Sequence, residues 1–283
     1  MTNLFLTPKL PQFGKELSLY LTPTPKIDDK YVYKIHSTFG SGGKIERDFD
    51  RIMLRDRIGE LEIFEASGSL WWTKTARVKS EPLTSIRFPD EKEAIKLANS
   101  YLKETKLYDN LSKPASVSYT ETLIEKNEEK EIKIVRSRQH VNYEYFLDGL
   151  RVWGSGAKIQ VSFGNRNKVT EVLKFWRNIK KESKKLELIS PESALKKFMN
   201  HEAFGDLSEE DSKVQLENIE LGYLTLPPLE VQRCLIPVYL FKGFVSTKLM
   251  PRYEFNIFVL AAKLPPELLK LSGAPDVGGQ LVL

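Results

Sequence analysis

A single cysteine and three histidines in 283 residues narrow the chemistry open to this chain. One thiol, Cys234, cannot form an intrachain disulfide, so the fold rests on packing rather than on staples. It stands in the apolar run CLIPVYLF, where a small core residue is expected. His36, His140 and His201 lie far apart in sequence, and no His-Glu-x-x-His occurs: His201-Glu202 runs on into Ala203, Phe204 and Gly205. A Gly-x-Ser-x-Gly elbow is also missing, since Gly154-Ser155-Gly156 belongs to a turn. FGSGGK at 39–44 lacks the spacing of a phosphate loop or a dinucleotide fingerprint, and reads as a loop. No calcium-loop pattern is present, and Glu209-Glu210-Asp211 reads as solvated charge. No cofactor and no metal are therefore expected.

Long hydrophobic runs are missing as well. No stretch approaches the roughly 18 apolar residues of a membrane helix. The N-terminus, interrupted by Pro8 and Pro11, does not read as a signal peptide. The charge balance is +5, but Lys and Glu interleave along the chain. The densest basic run, RNIKKESKK at 177–185, has no aromatic residues among its lysines, as a single-strand binder needs. No nucleic-acid partner is expected.

What is present is apolar material, 41% of the chain, which suffices for one large core or two or three small ones. Residues 1–84 read as a β-rich segment. Tyr31, Tyr33 and Ile35 alternate with Val32, Lys34 and His36 as in a strand, and 60–78 reads as a hairpin. Asp90 and Glu93 have capping-box spacing. Ala94, Leu97, Ala98, Tyr101 and Leu102 then share one helical face, ending near Lys103. Strands follow over 117–124 and 132–145, around a charged turn at 125–130, and again over 157–163 and 169–176. NIKKESKKLEL reads as a linker. Ser190-Pro191 opens a second helix with Ala194, Leu195, Phe198 and Met199 as its stripe. Three strands, 214–226, 232–241 and 253–261, complete the pattern. Pro237 inside the middle one implies a bulge or an edge.

The expected class is α+β, with mostly antiparallel sheets each packed by a helix. The expected divisions are an N-terminal segment (1–84), two helix-plus-sheet units (85–182 and 186–263) and a tail (264–283).

Residues 140–172, HVNYEYFLDGLRVWGSGAKIQVSFGNRNKVTEV, resemble the propeptide motif of fungalysin- and thermolysin-type metalloproteases. Gly149, Val152, Trp153 and Gly154 occupy its turn, Ile159 and Val161 its next strand, and Asn167 and Val169 follow. ISPESALKKF, LIPVYLFKG and YEFNIFVLAA resemble the opening helix and closing strands of a PepSY domain. The likeness covers about residues 85–263 and extends to two-domain extracytoplasmic regulators of sensor kinases. The protease half of that family is absent, and its zinc chemistry with it. The resemblance implies a protein that docks against another protein, and an extracytoplasmic site.

Two functions follow as expectations. The first is a non-catalytic binding or regulatory protein, modulating or inhibiting a peptidase or a membrane-bound signalling protein. Trp71, Trp72, Arg151 and Trp153 are its candidate contacts, because aromatic and arginine side chains anchor interfaces. Adjacent Trp71 and Trp72 must face opposite sides of a strand. The second is a small-molecule-binding protein or metal-independent enzyme, with His140, Tyr143, Glu144 and Tyr145 lining a pocket between helix and curved sheet. Alternation places Tyr143 and Tyr145 on one face and His140 and Glu144 on the other.

Overall fold

The computed structural model describes residues 3–6, 10–40, 43–75, 86–125, 132–200, 213–246, 252–265, 268 and 281–282. The turn at 125–130 beyond its first residue, the end of the expected hairpin, His201, the 209–211 carboxylates and most of the tail lie outside these residues.

Asp90 starts α2 (Glu91–Glu104) by accepting the backbone N–H of Glu93 at 2.9 Å. Ala94, Ala98 and Leu102 form the buried stripe, which lies on β7 (Ser112–Glu125) and β8 (Ile132–Leu147). Ser190 caps α3 (Pro191–Met199) in the same way, accepting from Ser193 N–H at 3.2 Å, with Pro191 in the first turn. Ala194 and Phe198 face β14 (Ile236–Ser246) and β15 (Tyr253–Leu260), and the Phe198 ring stacks on Phe241 at 4.7 Å. Met199, expected in that stripe, is exposed.

Among the described residues, the architecture is three helices on mostly antiparallel sheets, an α+β fold. β7, β8, β10 (Lys158–Phe163) and β11 (Val169–Phe175) run antiparallel. Beyond β11 the sheet continues through β6 (Leu70–Lys74), β5 (Gly59–Phe64), β4 (Arg51–Arg55) and β3 (Lys44–Asp48). On the other side, β8 turns into β9 (Leu150–Trp153), which pairs in parallel with β13 (Lys213–Leu224) at Tyr223↔Val152 and Leu224↔Trp153. β14 and β15 extend that side antiparallel. The terminal strands β1 (Asn3–Leu6) and β16 (Leu281–Val282) pair in parallel with β13 and β15. Hydrogen bonds therefore run through one 14-stranded sheet.

Three local expectations are corrected. Residues 31–36 are helical, within α1 (Asp29–Thr38), not a strand. Asp28 caps it, accepting Tyr31 N–H at 2.7 Å. Val32 and His36, four residues apart, are its buried face, and the following Phe39 stacks on Trp72 at 4.7 Å. The expected linker contains β12 (Lys180–Glu187), antiparallel to β2 (Glu16–Leu21) in a two-stranded ribbon. Bridges Leu21–Cys234 and Leu188–Ala262 tie this ribbon to the C-terminal strands. Pro237 marks neither a bulge nor an edge: it is the second residue of β14, paired with Tyr223 on one side and just before the β15 ladder starts at Val238.

The expected corner is present. Asp148 (φ 49°) and Gly149 (φ 80°) make the two-residue turn between β8 and β9, and Gly154 (φ 98°) ends β9. Val152 belongs to the main core and Trp153 to the second core on the opposite face. A methyl added at Gly149 meets nothing within 4 Å, whereas one at Gly154 stands 2.0 Å from the Thr225 carbonyl oxygen. Gly149→Ala therefore costs about 1 kcal/mol, the strain of a left-handed alanine. Gly154→Ala costs about 3 kcal/mol or more, because the clash adds to the strain. Urea unfolding midpoints of the two variants check the difference.

Candidate functional site

β6, β8 and β9 place the sequence-predicted residues, and they do not form one patch. Trp72 is core, stacked on Phe39. Trp153 is core too, packed on Phe258 at 5.9 Å between ring centres. Arg151 is committed to Glu144, with Nη2 donating to Oε1 at 2.6 Å. Trp71 alone of the three tryptophans is partly exposed, on the face opposite Trp72. The expected docking set thus splits between core and surface.

The expected pocket is also divided. Tyr143 and Tyr145 point beneath α2 into the core: Tyr143 donates to Asn99 Oδ1 at 2.9 Å, and Tyr145 stacks on Trp176 at 3.8 Å. Burial pushes both phenol pKa values up. His140 and Glu144 stand on the outer face, as alternation requires.

On that outer face His140 joins a chain of hydrogen bonds spanning five strands. Ser162 Oγ lies 3.1 Å from Glu171 Oε2, and the Trp71 indole N–H donates to Glu171 Oε1 at 2.7 Å. Arg138 adds an ion pair to the same carboxylate at 3.6 Å. His140 Nδ1 lies 2.8 Å from Ser162 Oγ, and its Nε2 lies 2.7 Å from Thr120 Oγ1. The proton directions follow from valence. A carboxylate only accepts, so Ser162 donates to Glu171. Its one proton is then spent, so His140 Nδ1–H donates to Ser162 and Nε2 accepts from Thr120. This order is the reverse of what a nucleophilic serine needs, where the histidine accepts the serine proton. Ser162 is also fully buried. The chain braces the sheet across five strands. Glu171, its hub, was missed in sequence because a Glu between Thr170 and Val172 reads as an ordinary solvent-facing strand residue.

A second site lies at the loops. Phe49 sits between β3 and β4 and is 103% exposed, as open as in a free chain. It lines a cleft of about 470 Å³ together with Pro25, Ile27, Leu229 and Val231. Asp50 and Glu65 form its polar rim, and each already has a cation: Arg51 at 3.2 Å and Arg47 at 2.9 Å. Buried Arg177 holds the two loops that frame the cleft, donating to the carbonyls of Ala66, Leu226 and Pro227. Burial pulls its guanidinium down to about 10. Gln232 fixes the second loop by donating to Leu224 O and accepting from Leu226 N–H. Nothing in sequence marks Phe49: it is a lone aromatic among charges, RDFDR.

Among the described residues, no three His, Cys, Asp or Glu side chains cluster as metal ligands would, and no helix is long and apolar enough to cross a membrane.

Glu171→Gln leaves one acceptor oxygen where two serve three donors, and it costs about 1–3 kcal/mol by chemical denaturation. Burial lowers the pKa of both His140 and His36. The unfolded chain then takes up protons first, so stability that is complete above about pH 6.5 falls as pH drops through the two lowered values. Urea titrations between pH 8 and pH 4 check the slope. In Glu171→Gln the His140 midpoint, followed by NMR, moves lower still, because the Glu171 charge raises it.

No family model matches this chain, and no curated protein matches it. Among solved structures, an uncharacterized protein from Eubacterium rectale is similar, with a TM-score of 0.46 and 10% identity over 87% of this chain and 82% of that one.

Proposed function

We propose that this is a non-catalytic binding module that docks another protein at the Phe49 cleft. One observation carries the reading: a phenylalanine held wholly in water on a short turn, above apolar walls contributed by two other loops. Burying such a ring is worth about 1.5–3 kcal/mol, and the fold leaves that energy uncollected. An apolar centre inside a rim of neutralised charge is the anatomy of a protein interface. The propeptide-like pattern of residues 140–172 supplies the proposed partner class, a peptidase or a membrane-bound signalling protein that the module modulates.

None of the tryptophans expected to carry docking lines this cleft, and only Trp71 of that set is left as an auxiliary contact. The pocket reading has less behind it. Tyr143 and Tyr145 are used up as core, and the outer-face chain has its protons running the wrong way for a nucleophile.

Phe49→Ser is expected to leave the unfolding midpoint within about 0.5 kcal/mol of the parent, since the ring packs on nothing that folding buries. Partner affinity is expected to fall about ten- to a hundredfold, the loss of one buried aromatic. Parallel capture from native extract with both proteins, followed by titration of the captured partner, measures this. Where the partner is a peptidase, its hydrolysis rate with and without each protein gives the regulatory effect. A partner held equally by both proteins rejects the cleft.

A further inference from the structure

β11 carries a lysine where its pattern calls for an apolar side chain. Val172, Lys174 and Trp176 fall at alternate positions, and Val172 and Trp176 are core. Across the sheet Lys174 stands opposite Leu70 and Ile159, both buried. An ammonium on the apolar face of a sheet is rarely left so without a partner. Yet Lys174 makes no hydrogen bond or ion pair with a described residue; the carboxylate that acts on it is Asp109, whose Oδ1 accepts the Leu111 N–H at 3.0 Å.

Lys174 lines a cavity of about 330 Å³ beneath α1 and the loop after α2. Its walls mix polar and apolar surface, with Tyr31 and Trp176 offering aromatic faces and Ile35, Leu70 and Leu107 aliphatic ones. Lys106 and Arg177 are the other cations, against the single acid Asp109. Arg177 is buried and its Nε has no partner. The volume is at the small end of ligand pockets, and apolar faces set beside placed charges suit a ligand that carries both.

We propose that this cavity binds a small organic carboxylate with an aromatic or aliphatic body, its charge paired with the Lys174 ammonium. The apolar body replaces water against Tyr31 and Trp176, and the carboxylate supplies the anion that the sheet does not. Inorganic anions match the charge and waste the walls. The site is separate from the Phe49 cleft and does not rest on it.

The test is calorimetry with benzoate, phenylacetate and indole-3-acetate, each set against its primary amide, and with inorganic phosphate. At least one acid is expected to bind with a Kd of about 1 mM or tighter. Its amide and phosphate are expected to bind at least about tenfold more weakly, the loss of one charge-assisted contact. Lys174→Met is expected to remove the preference for acid over amide, and Lys174→Arg to keep it. Phe49→Ser is expected to bind the acids unchanged. Failure of every acid to bind, equal binding of acid and amide, or undiminished acid binding by Lys174→Met overturns the proposal. If Lys174→Met does not fold, the comparison of acid with amide on the parent protein decides.

Discussion

Two residue pairs hold the long sheet together: Tyr223 with Val152, and Leu224 with Trp153, in parallel. The strands meet there because each brings a glycine to the joint, Gly154 against Thr225 and Gly222 against Arg151. A side chain on Gly154 collides with the Thr225 carbonyl, and one on Gly222 stands 2.3 Å from the Arg151 carbonyl. The Thr225 N–H then reaches Trp153 O at 2.9 Å and extends the contact. With that joint closed, Val152 enters the main core while Trp153 seals the second against Phe258. Two helix-covered arrays become one hydrogen-bonded body. The loop leaving β13 is thereby delivered to Arg177, whose guanidinium fastens it to the β5–β6 turn and so frames the cleft beside Phe49.

Strand alternation explains why neither expected site assembled. On β8 the odd positions from Gln139 to Tyr145 go under α2, and the even ones from Arg138 to Glu144 go outward. Any set drawn from neighbouring residues is split by the sheet itself. The outer row then satisfies its own polar groups. Asn142 accepts from Gln160 and donates to Ser116 and Ser118, Arg151 serves Glu144, and Glu171 gathers Trp71, Ser162 and Arg138. Few donors remain for a ligand on that surface, so its stiffness is its contribution.

Much of the α+β framework was legible because its signals are local. Asp90 and Ser190 announce their helices, the 158–163 alternation is strict, and the glycines around Arg151 to Trp153 mark the corner. The failures have equally local causes. At 31–36 a period of two in Tyr31, Tyr33 and Ile35 competed with the helical period in Val32, His36 and Phe39, and the β-forming aromatics tipped the reading. The Asp28 cap was the signal that resolves it. β12 was illegible for a different reason. Of its eight residues only Leu186 is buried, and its pairing with β2 joins residues more than 150 positions apart. A strand that turns charge outward almost throughout carries no hydrophobic period to find. Phe49 and Lys174 were missed because each is an exception to its surroundings, and exceptions carry no period.

Those exceptions are where recognition remains available. α2 and α3 cover one face of their strands, the second core fills the opposite face of β13–β15, and the outer face of β8–β11 is bonded to itself. Among the groups that the packing leaves unsettled are a ring in water, Phe49, and a half-buried ammonium, Lys174. Each costs free energy in the isolated protein, and each is relieved by a partner of opposite character: an apolar surface for Phe49, a carboxylate for Lys174. Arg177 stands between them, lining the Lys174 cavity while its guanidinium holds the loops of the Phe49 cleft. Its backbone follows directly on Lys174 through Phe175 and Trp176, so the two sites share one stretch of chain.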